Sequence, residues 1–272
     1  MRTIRLSVED RLPDDALPPA SAAVGFFDGV HKGHQKVIET AQIKAEELGT
    51  ASAVITFDPH PSVILNKKVK HARYITPLEE KEEILKNMGV DLLYIIRFDK
   101  SLASLSPKQF VEQFFVRLNI RHVAAGFDFS FGYKGEGSMK MLPELSEGRF
   151  STTTVSRIEK EELKVSSTRI RALLDQGDME GVQNLLGRPF AVCGELTGKE
   201  ASEQLSVKLM RPFYMPKPGL YAVIIKAGNE SWEALARISN GSDVQILIQD
   251  SHTFIQSGKA SIEFYGSVTN DL

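Results

Sequence analysis

The chain holds a single cysteine, Cys193, in 272 residues. That excludes an internal disulfide and a zinc cage built on thiolates. A basic excess is also missing: 33 lysines and arginines face 35 aspartates and glutamates, a formal net charge of −2. Proteins dedicated to nucleic acid normally carry a clear positive surplus, so that class is set aside. No apolar run approaches the ~20 residues that a membrane-spanning helix needs. The longest, such as Tyr221 to Ile225, are of strand length. The opening MRTIRLSVEDRLPDD turns acidic without an apolar stretch, which does not read as a secretory signal. Repeats and low-complexity segments are absent too. The expectation is a soluble cytoplasmic protein with no membrane or nucleic-acid partner. At 42% hydrophobic and 25% charged residues, the composition is that of an ordinary globular chain. Its length allows one or two domains of about 150 residues.

What is present is an alternation of strand and helix signals. Ser21 to Phe27 is a short apolar run, and residues 33–48 place Val37, Ile38, Ala41, Ala45 and Leu48 on one helical stripe that stops at Gly49. Ala51 to Phe57 reads as a strand buried on both faces. Thr76-Pro77-Leu78-Glu79 is a capping box opening a helix that ends by Gly89, and Ser106-Pro107-Lys108-Gln109 repeats that logic. Asp91 to Phe98, Ile120 to Ala125 and Phe150 to Ile158 are further strands. Strand and helix in turn imply right-handed parallel crossovers and a doubly wound α/β sheet. Such sheets bind ligands beyond the carboxyl ends of their strands. After Gly187-Arg188-Pro189 the helical period disappears, and short apolar runs at 221–226, 232–238, 244–248 and 260–265 point to a small antiparallel β-barrel or sandwich. The expected domains are residues 1–186 and 187–272, with Cys193 an inert barrel residue and Trp232 in the core.

The segments that follow the strands carry the chemistry. Gly25-Phe26-Phe27-Asp28-Gly29-Val30-His31-Lys32-Gly33-His34 lies where the first apolar run turns into a helix. Helix N–H groups and the helix dipole favour an anion there, and Gly25, Gly29 and Gly33 let the backbone approach it closely. His31 and His34 can donate hydrogen bonds to phosphate oxygens as charge develops on them. Two polar residues at a helix cap would be the plain alternative, and metal ligation lacks a nearby third ligand. Thr56-Phe57-Asp58-Pro59-His60-Pro61 is a proline-stiffened turn in which Phe57 is either a flat binding surface or a core residue. Gly126-Phe127-Asp128-Phe129-Ser130-Phe131-Gly132 is a loop unusually rich in phenylalanine. Val165-Ser166-Ser167-Thr168-Arg169-Ile170-Arg171 is first an N-cap, and its hydroxyls and arginines also suit a phosphate clamp. The charge-rich Glu79 to Lys86 reads as a solvated helix face, as does Glu159 to Lys164.

GFFDGVHKGHQ resembles the nucleotide-binding signature of the prokaryotic FAD synthetases, the riboflavin kinase/FMN adenylyltransferase family, within the nucleotidylyltransferases that share an H-x-G-H pair. The F-D-P-H-P string, the segment Phe98 to Phe110, the G-x-[DN]-F-x-F-G loop and the S-S-T-x-I-R string are similar to the family's in the same order over residues 20–190. The resemblance implies a Rossmann-like nucleotidylyltransferase domain followed by a small β-barrel. It implies transfer of AMP from ATP to FMN, by in-line attack of the FMN phosphate on the α-phosphate with pyrophosphate leaving. The attacking oxygen is already anionic, so catalysis reduces to positioning and charge stabilisation.

By the same resemblance His31 and His34 are catalytic. Gly25, Phe27, Asp28, Gly29, Gly33, Asp128, Ser167, Thr168 and Arg171 serve ATP, with Ser167, Thr168 and Arg171 on the phosphates. Phe57, Pro59 and Pro61 face the flavin. Mg2+ bridges phosphates, with its protein ligands unassigned. Bifunctional members add a riboflavin kinase barrel marked by G-x-P-T-A-N. Here the matching stretch, GELTGKEASEQLSVKLM from Gly194 to Met210, has no such string, although Pro216 to Val223 still resembles the family's strand entry. The resemblance sets Asp243 opposite the kinase's glutamate, and the chain ends at Leu272 without the family's terminal helix. Riboflavin kinase activity is therefore expected to be lost. The alternatives are a bifunctional enzyme or a non-catalytic flavin or nucleotide sensor, and a homo-oligomer or protein partner would be engaged through the barrel.

Overall fold

The computed structural model describes residues 1–10, 17–66, 72–156, 159–160, 163–197, 204–239, 244–248 and 258–268. The chain forms two compact units, residues 1–72 with 81–163 and residues 73–80 with 164–272.

The first unit is built on six parallel strands: β1 (Arg2–Leu6), β2 (Ala20–Val24), β3 (Ala51–Asp58), β4 (Leu92–Arg97), β5 (Ile120–Gly126) and β6 (Ser151–Val155). Their order in the sheet is β1-β4-β3-β2-β5-β6. Every pairing is parallel. Period-two alternation divides each strand between two cores. Ala20, Ala22 and Val24, with Ile55, Phe57, Tyr94, Ile96 and Val123, join Phe110, Phe114, Phe115 and Phe131 in one cluster. On the other face α1 (Lys32–Leu48) packs against β2, β3 and β5 through its buried Val37, Ile38, Ala41 and Ala45. It ends at Gly49, which takes the left-handed φ of 61° that a helix stop requires.

The doubly wound sheet expected from the alternation is present. β1 was not anticipated, and it completes the edge beside β4. The last two positions of the strand expected over Phe150 to Ile158 lie outside the described residues, as does Asp243. The second capping box forms as expected, with Ser106 and Gln109 bonded reciprocally. The helix it opens runs over Pro107–Val111 and widens to a π-helix over Glu112–Val116. α2 spans Leu78–Asn87, and it overturns one expectation. Lys81, assigned to a solvated face, is 3% exposed. Leu78, Lys81 and Leu85 fall three and four residues apart, so the lysine occupies the apolar stripe.

The second unit contains α3 (Ser167–Gln176), α4 (Met179–Leu186) and a closed antiparallel barrel. Its strands are β7 (Phe190–Thr197), β8 (Gln204–Leu209), β9 (Gly219–Ala227), β10 (Glu230–Ile238), β11 (Val244–Leu247) and β12 (Gly258–Ser267), paired in the order β7-β8-β11-β10-β9-β12 and closed by β12 on β7. The interior is filled by Phe190, Tyr221, Ile225, Ile246, Ile262 and Phe264, all at most 1% exposed. Trp232, expected in the core, is only half-buried on β10. The Cys193 thiol is pushed up to about 11 by burial and then by the neighbouring Glu80, so it stays protonated at neutral pH.

Candidate active site

Parallel strands in one sheet deliver the segments after β2, β3, β4 and β5 to the same carboxyl edge. The turn after β2 is the centre of that edge. Gly25 N–H donates to Ile55 O at 3.1 Å, tying the turn to β3. A Cβ on Gly25 would meet the Phe27 ring at 3.1 Å, so a side chain there would press on that ring. Phe27, Gly29 and Val30 then adopt positive φ of 54°, 90° and 40°. For glycine that conformation is free, whereas for a β-branched valine it is strained and costs of order 1–3 kcal/mol. Strain of this kind persists where the surroundings over-determine the backbone. Here Phe27, Asp28, Val30 and His31 are all 5% exposed or less.

The turn feeds directly into α1. His31 is its N-cap, and its Nδ1 accepts from the His34 N–H at 3.2 Å. The two imidazoles stack with ring centroids 3.5 Å apart and planes 17° from parallel. The Phe27 ring meets His34 edge-on at 5.2 Å. Burial holds the His34 pKa well below its usual 6.5, and the adjacent His31 and Lys81 lower it further. His34 is therefore neutral at pH 7. Its Nδ1 is enclosed without a hydrogen-bond partner. The sequence placed the two histidines at a helix start, and the structure makes them one stacked unit there.

The F-D-P-H-P segment meets this turn. Thr56 Oγ1 donates to Phe26 O at 3.0 Å, and the Phe26 ring packs edge-on against His60 at 4.4 Å. His60 caps the short helix Pro61–Leu65, its Nδ1 lying 3.1 Å from Ser62 N and 2.7 Å from Ser62 Oγ. Pro59 and Pro61 are half-buried at the rim. Phe57 is 9% exposed and packs on Phe98 and Phe110, so its ring belongs to the core cluster. After β5, Phe127 N–H bonds Val155 O at 3.1 Å and leaves Asp128 exposed. Phe129 stacks on the buried Phe131. The phenylalanine-rich loop is thus anchored by its third aromatic and open at its first.

Ser167, Thr168 and Arg171 belong to the other unit. Ser166, one residue earlier, is the N-cap of α3 and accepts from Arg169 N at 3.2 Å. Thr168 is exposed while Ser167 and Arg171 are half-buried. The Arg171 guanidinium lies over the Tyr214 ring at 5.6 Å, and Tyr214 donates to Asp175 at 3.0 Å.

One site residue was missed from the sequence. Lys81 Nζ donates to Phe26 O at 2.7 Å and lies 4.6 Å above the Phe26 ring. Its helical spacing with Leu78 and Leu85 was the available signal. Among the described residues, no three His, Cys, Asp or Glu side chains gather to hold a metal ion. Among the described residues, an Mg2+ ion would have to take most of its ligands from phosphates and water.

A doubly wound sheet that gathers a glycine-bearing turn and a stacked histidine pair at its carboxyl edge has the architecture of a nucleotidyltransferase. A family model described as FAD synthetase matches residues 14–169. The chain belongs to the FAD synthetase family. A protein of Bacillus subtilis (strain 168) named bifunctional riboflavin kinase/FMN adenylyltransferase is 38% identical, covering 100% of this chain and 91% of that one. A protein of the same name from Listeria monocytogenes is also 38% identical, over 89% of this chain and 82% of its own. A second Listeria monocytogenes protein, named FAD synthetase, is 30% identical over 85% and 88% of the two chains. A solved structure titled as a macrolide-efflux protein from Streptococcus pneumoniae superposes with a TM-score of 0.85 at 24% identity, covering 98% of this chain and 91% of that one. It supports the fold alone.

Proposed function

We propose that this chain is an FMN adenylyltransferase, joining ATP and FMN into FAD with release of pyrophosphate, and that it has no riboflavin kinase activity. The observation that carries the first half is the stacked His31–His34 pair at the amino end of α1, reached through a turn with three positive φ angles. The FMN phosphate is the nucleophile and needs no general base. The protein's task is to hold the α-phosphate in line and to meet its growing negative charge with fixed donors. His34 is neutral. With its Nδ1 enclosed and unpartnered, the lower-cost tautomer keeps the proton on Nε2, and that N–H is the donor assigned to the α-phosphate. His31 holds the first turn of α1 through its Nδ1 and presents its other ring nitrogen alongside. Asp128, Ser167, Thr168 and Arg171 are assigned to the nucleotide, and Pro59 and Pro61 to the flavin, by the segments they occupy, whereas the Phe57 ring is packed into the core on Phe98 and Phe110. In functional terms residues 1–186 form the transferase domain and residues 187–272 a barrel that has lost its kinase chemistry.

The missing G-x-P-T-A-N string supports the second half. Without its threonine and asparagine, the barrel lacks the groups that the family resemblance assigns to nucleotide and metal. Relatives named bifunctional favour the opposite reading, a kinase retained on the barrel. Parallel incubations with ATP and Mg2+, one with FMN and one with riboflavin, separate the two by chromatography. FAD from FMN with riboflavin unchanged is the expected result. FMN appearing from riboflavin restores the bifunctional reading. FMN bound but unreacted makes the protein a sensor.

A further inference from the structure

We propose that Lys81 is a positioning residue for adenylyl transfer: from the buried stripe of α2 its ammonium clamps the Phe26 carbonyl and so fixes the turn that presents Asp28, His31 and His34. The inference rests on the adenylyltransferase reading of this edge.

Lys81 is 3% exposed. A leucine or methionine would fill the stripe between Leu78 and Leu85 without desolvating a charge, which is costly unless it is compensated. The ammonium group therefore has to be explained, not the stem. Its compensation is all on the site side. Nζ donates to Phe26 O at 2.7 Å, lies 3.4 Å from Thr56 Oγ1, and sits over the Phe26 ring at 4.6 Å. Thr56 Oγ1 donates to the same carbonyl at 3.0 Å. Two donors from two different elements thus meet on one oxygen, one residue before φ turns positive at Phe27. A strained turn needs such over-determination to keep one geometry.

The charge has a second use. Asp28 on the turn and Asp58 at the end of β3 both act on Lys81 through space. Uncompensated, these carboxylates would repel an incoming polyphosphate, and a fixed ammonium acting on both of them offsets that. The groups that face Lys81 are thus Asp28, Asp58 and, from α1, His34 with His31 stacked on it. The carboxylates hold its proton on, but burial outweighs them and lowers the pKa from 10.5 to about 8. The clamp is charged at pH 7 and at alkaline pH loses that charge, and with it the offset to Asp28 and Asp58, while its neutral amine can still donate to Phe26 O.

The test compares wild-type protein and K81M for FAD formation from FMN and ATP at pH 6.5 to 9.5. A displaced catalytic group costs about 100-fold in rate. K81M is expected to lose about that factor in kcat, with KM for FMN and ATP within about threefold of wild type. The wild-type profile should fall through an alkaline limb near pH 8, and K81M should show no such limb, because nothing at position 81 titrates. A kcat within threefold of wild type, or a limb that persists in K81M, overturns the proposal. If K81M does not fold, K81Q, which keeps a donor but no charge, takes its place in the same comparison. Failure of both to fold makes Lys81 a stability element and also overturns it. Wild-type protein that forms no FAD refutes the adenylyltransferase reading itself, before any substitution is made, and removes this inference with it.

Discussion

Replacing His31 with alanine removes two separable contributions, and the structure sets a magnitude for each. The first is the N-cap of α1, where Nδ1 accepts the His34 N–H at 3.2 Å. Losing such a cap costs about 1 kcal/mol. In a unit of this size that lowers the unfolding midpoint by roughly 2–4 °C. The second, on the proposed adenylyltransferase reading, is a fixed donor to the phosphate, whose loss typically costs ~10²–10³ in turnover, or about 3–4 kcal/mol of transition-state stabilisation. His31→Asn separates the two. Asparagine is among the best N-caps, so the midpoint should return to within ~1 °C of wild type. It cannot place a ring nitrogen against the substrate or stack on His34 at 3.5 Å, so turnover should stay depressed by ~10²–10³. The measurements are calorimetric unfolding and initial rates of FAD formation at saturating ATP and FMN. Recovery of turnover together with the midpoint in His31→Asn would show that His31 only caps the helix, and the catalytic assignment would be refuted.

Two further outcomes follow from burial. Folding lowers the pKa of His34 well below 6.5 and that of His122 to about 4, in each case through burial first. The unfolded chain takes up those protons from about pH 6.5 downward, so stability is complete above that value and declines as the pH falls toward 4. Urea midpoints at pH 7.5, 6 and 5 should decrease in that order, and His122→Asn should flatten part of the slope; a pH-independent midpoint would refute the account. In the barrel, a Cβ on Gly194 would stand 2.4 Å from Val207 Cγ1 and 3.0 Å from Lys208 O. Gly194→Ala should therefore destabilise the protein by about 1–3 kcal/mol, and an unchanged thermal midpoint would show that the strand shifts to accept it.

The elements with a strong period were legible before any coordinates. α1 and its glycine stop, the apolar strands β2 to β5, and the Ser106 capping box all follow from local pattern. β1 escaped because its five residues, Arg2-Thr3-Ile4-Arg5-Leu6, do not alternate polar with apolar throughout and so carry little periodic signal. Its place is set by a tertiary pairing with β4. β7 and β8 escaped for a related reason: Cys193, Gly194 and the polar residues around them break the apolar run, although β7 alternates between inside and outside along its length. The π-helical widening after Val111 leaves no signature in the spacing of the apolar residues, which fits an ordinary helix equally well. At the site, the sequence identified the turn, both histidines and the adjoining proline-stiffened segment. The resemblance set Phe57 against the flavin, and the structure instead packs its ring on Phe98 and Phe110 in the core. Lys81 was hidden by its neighbours, because a lysine among four glutamates reads as solvent-facing until its register with Leu78 and Leu85 is weighed.

Closure of the barrel changes how this protein can be recruited by others. Among the described residues each barrel strand has a neighbour on both sides, so the barrel has no edge strand of the kind an open sheet presents. Recognition by strand addition, a common way to capture a peptide, uses an exposed edge strand, and the described barrel residues supply none. A partner of the barrel would have to read side chains, which ties any association to surface residues such as Met210 and Tyr265 that can be exchanged singly. Partner choice could then drift by point substitution while the barrel beneath it stays intact.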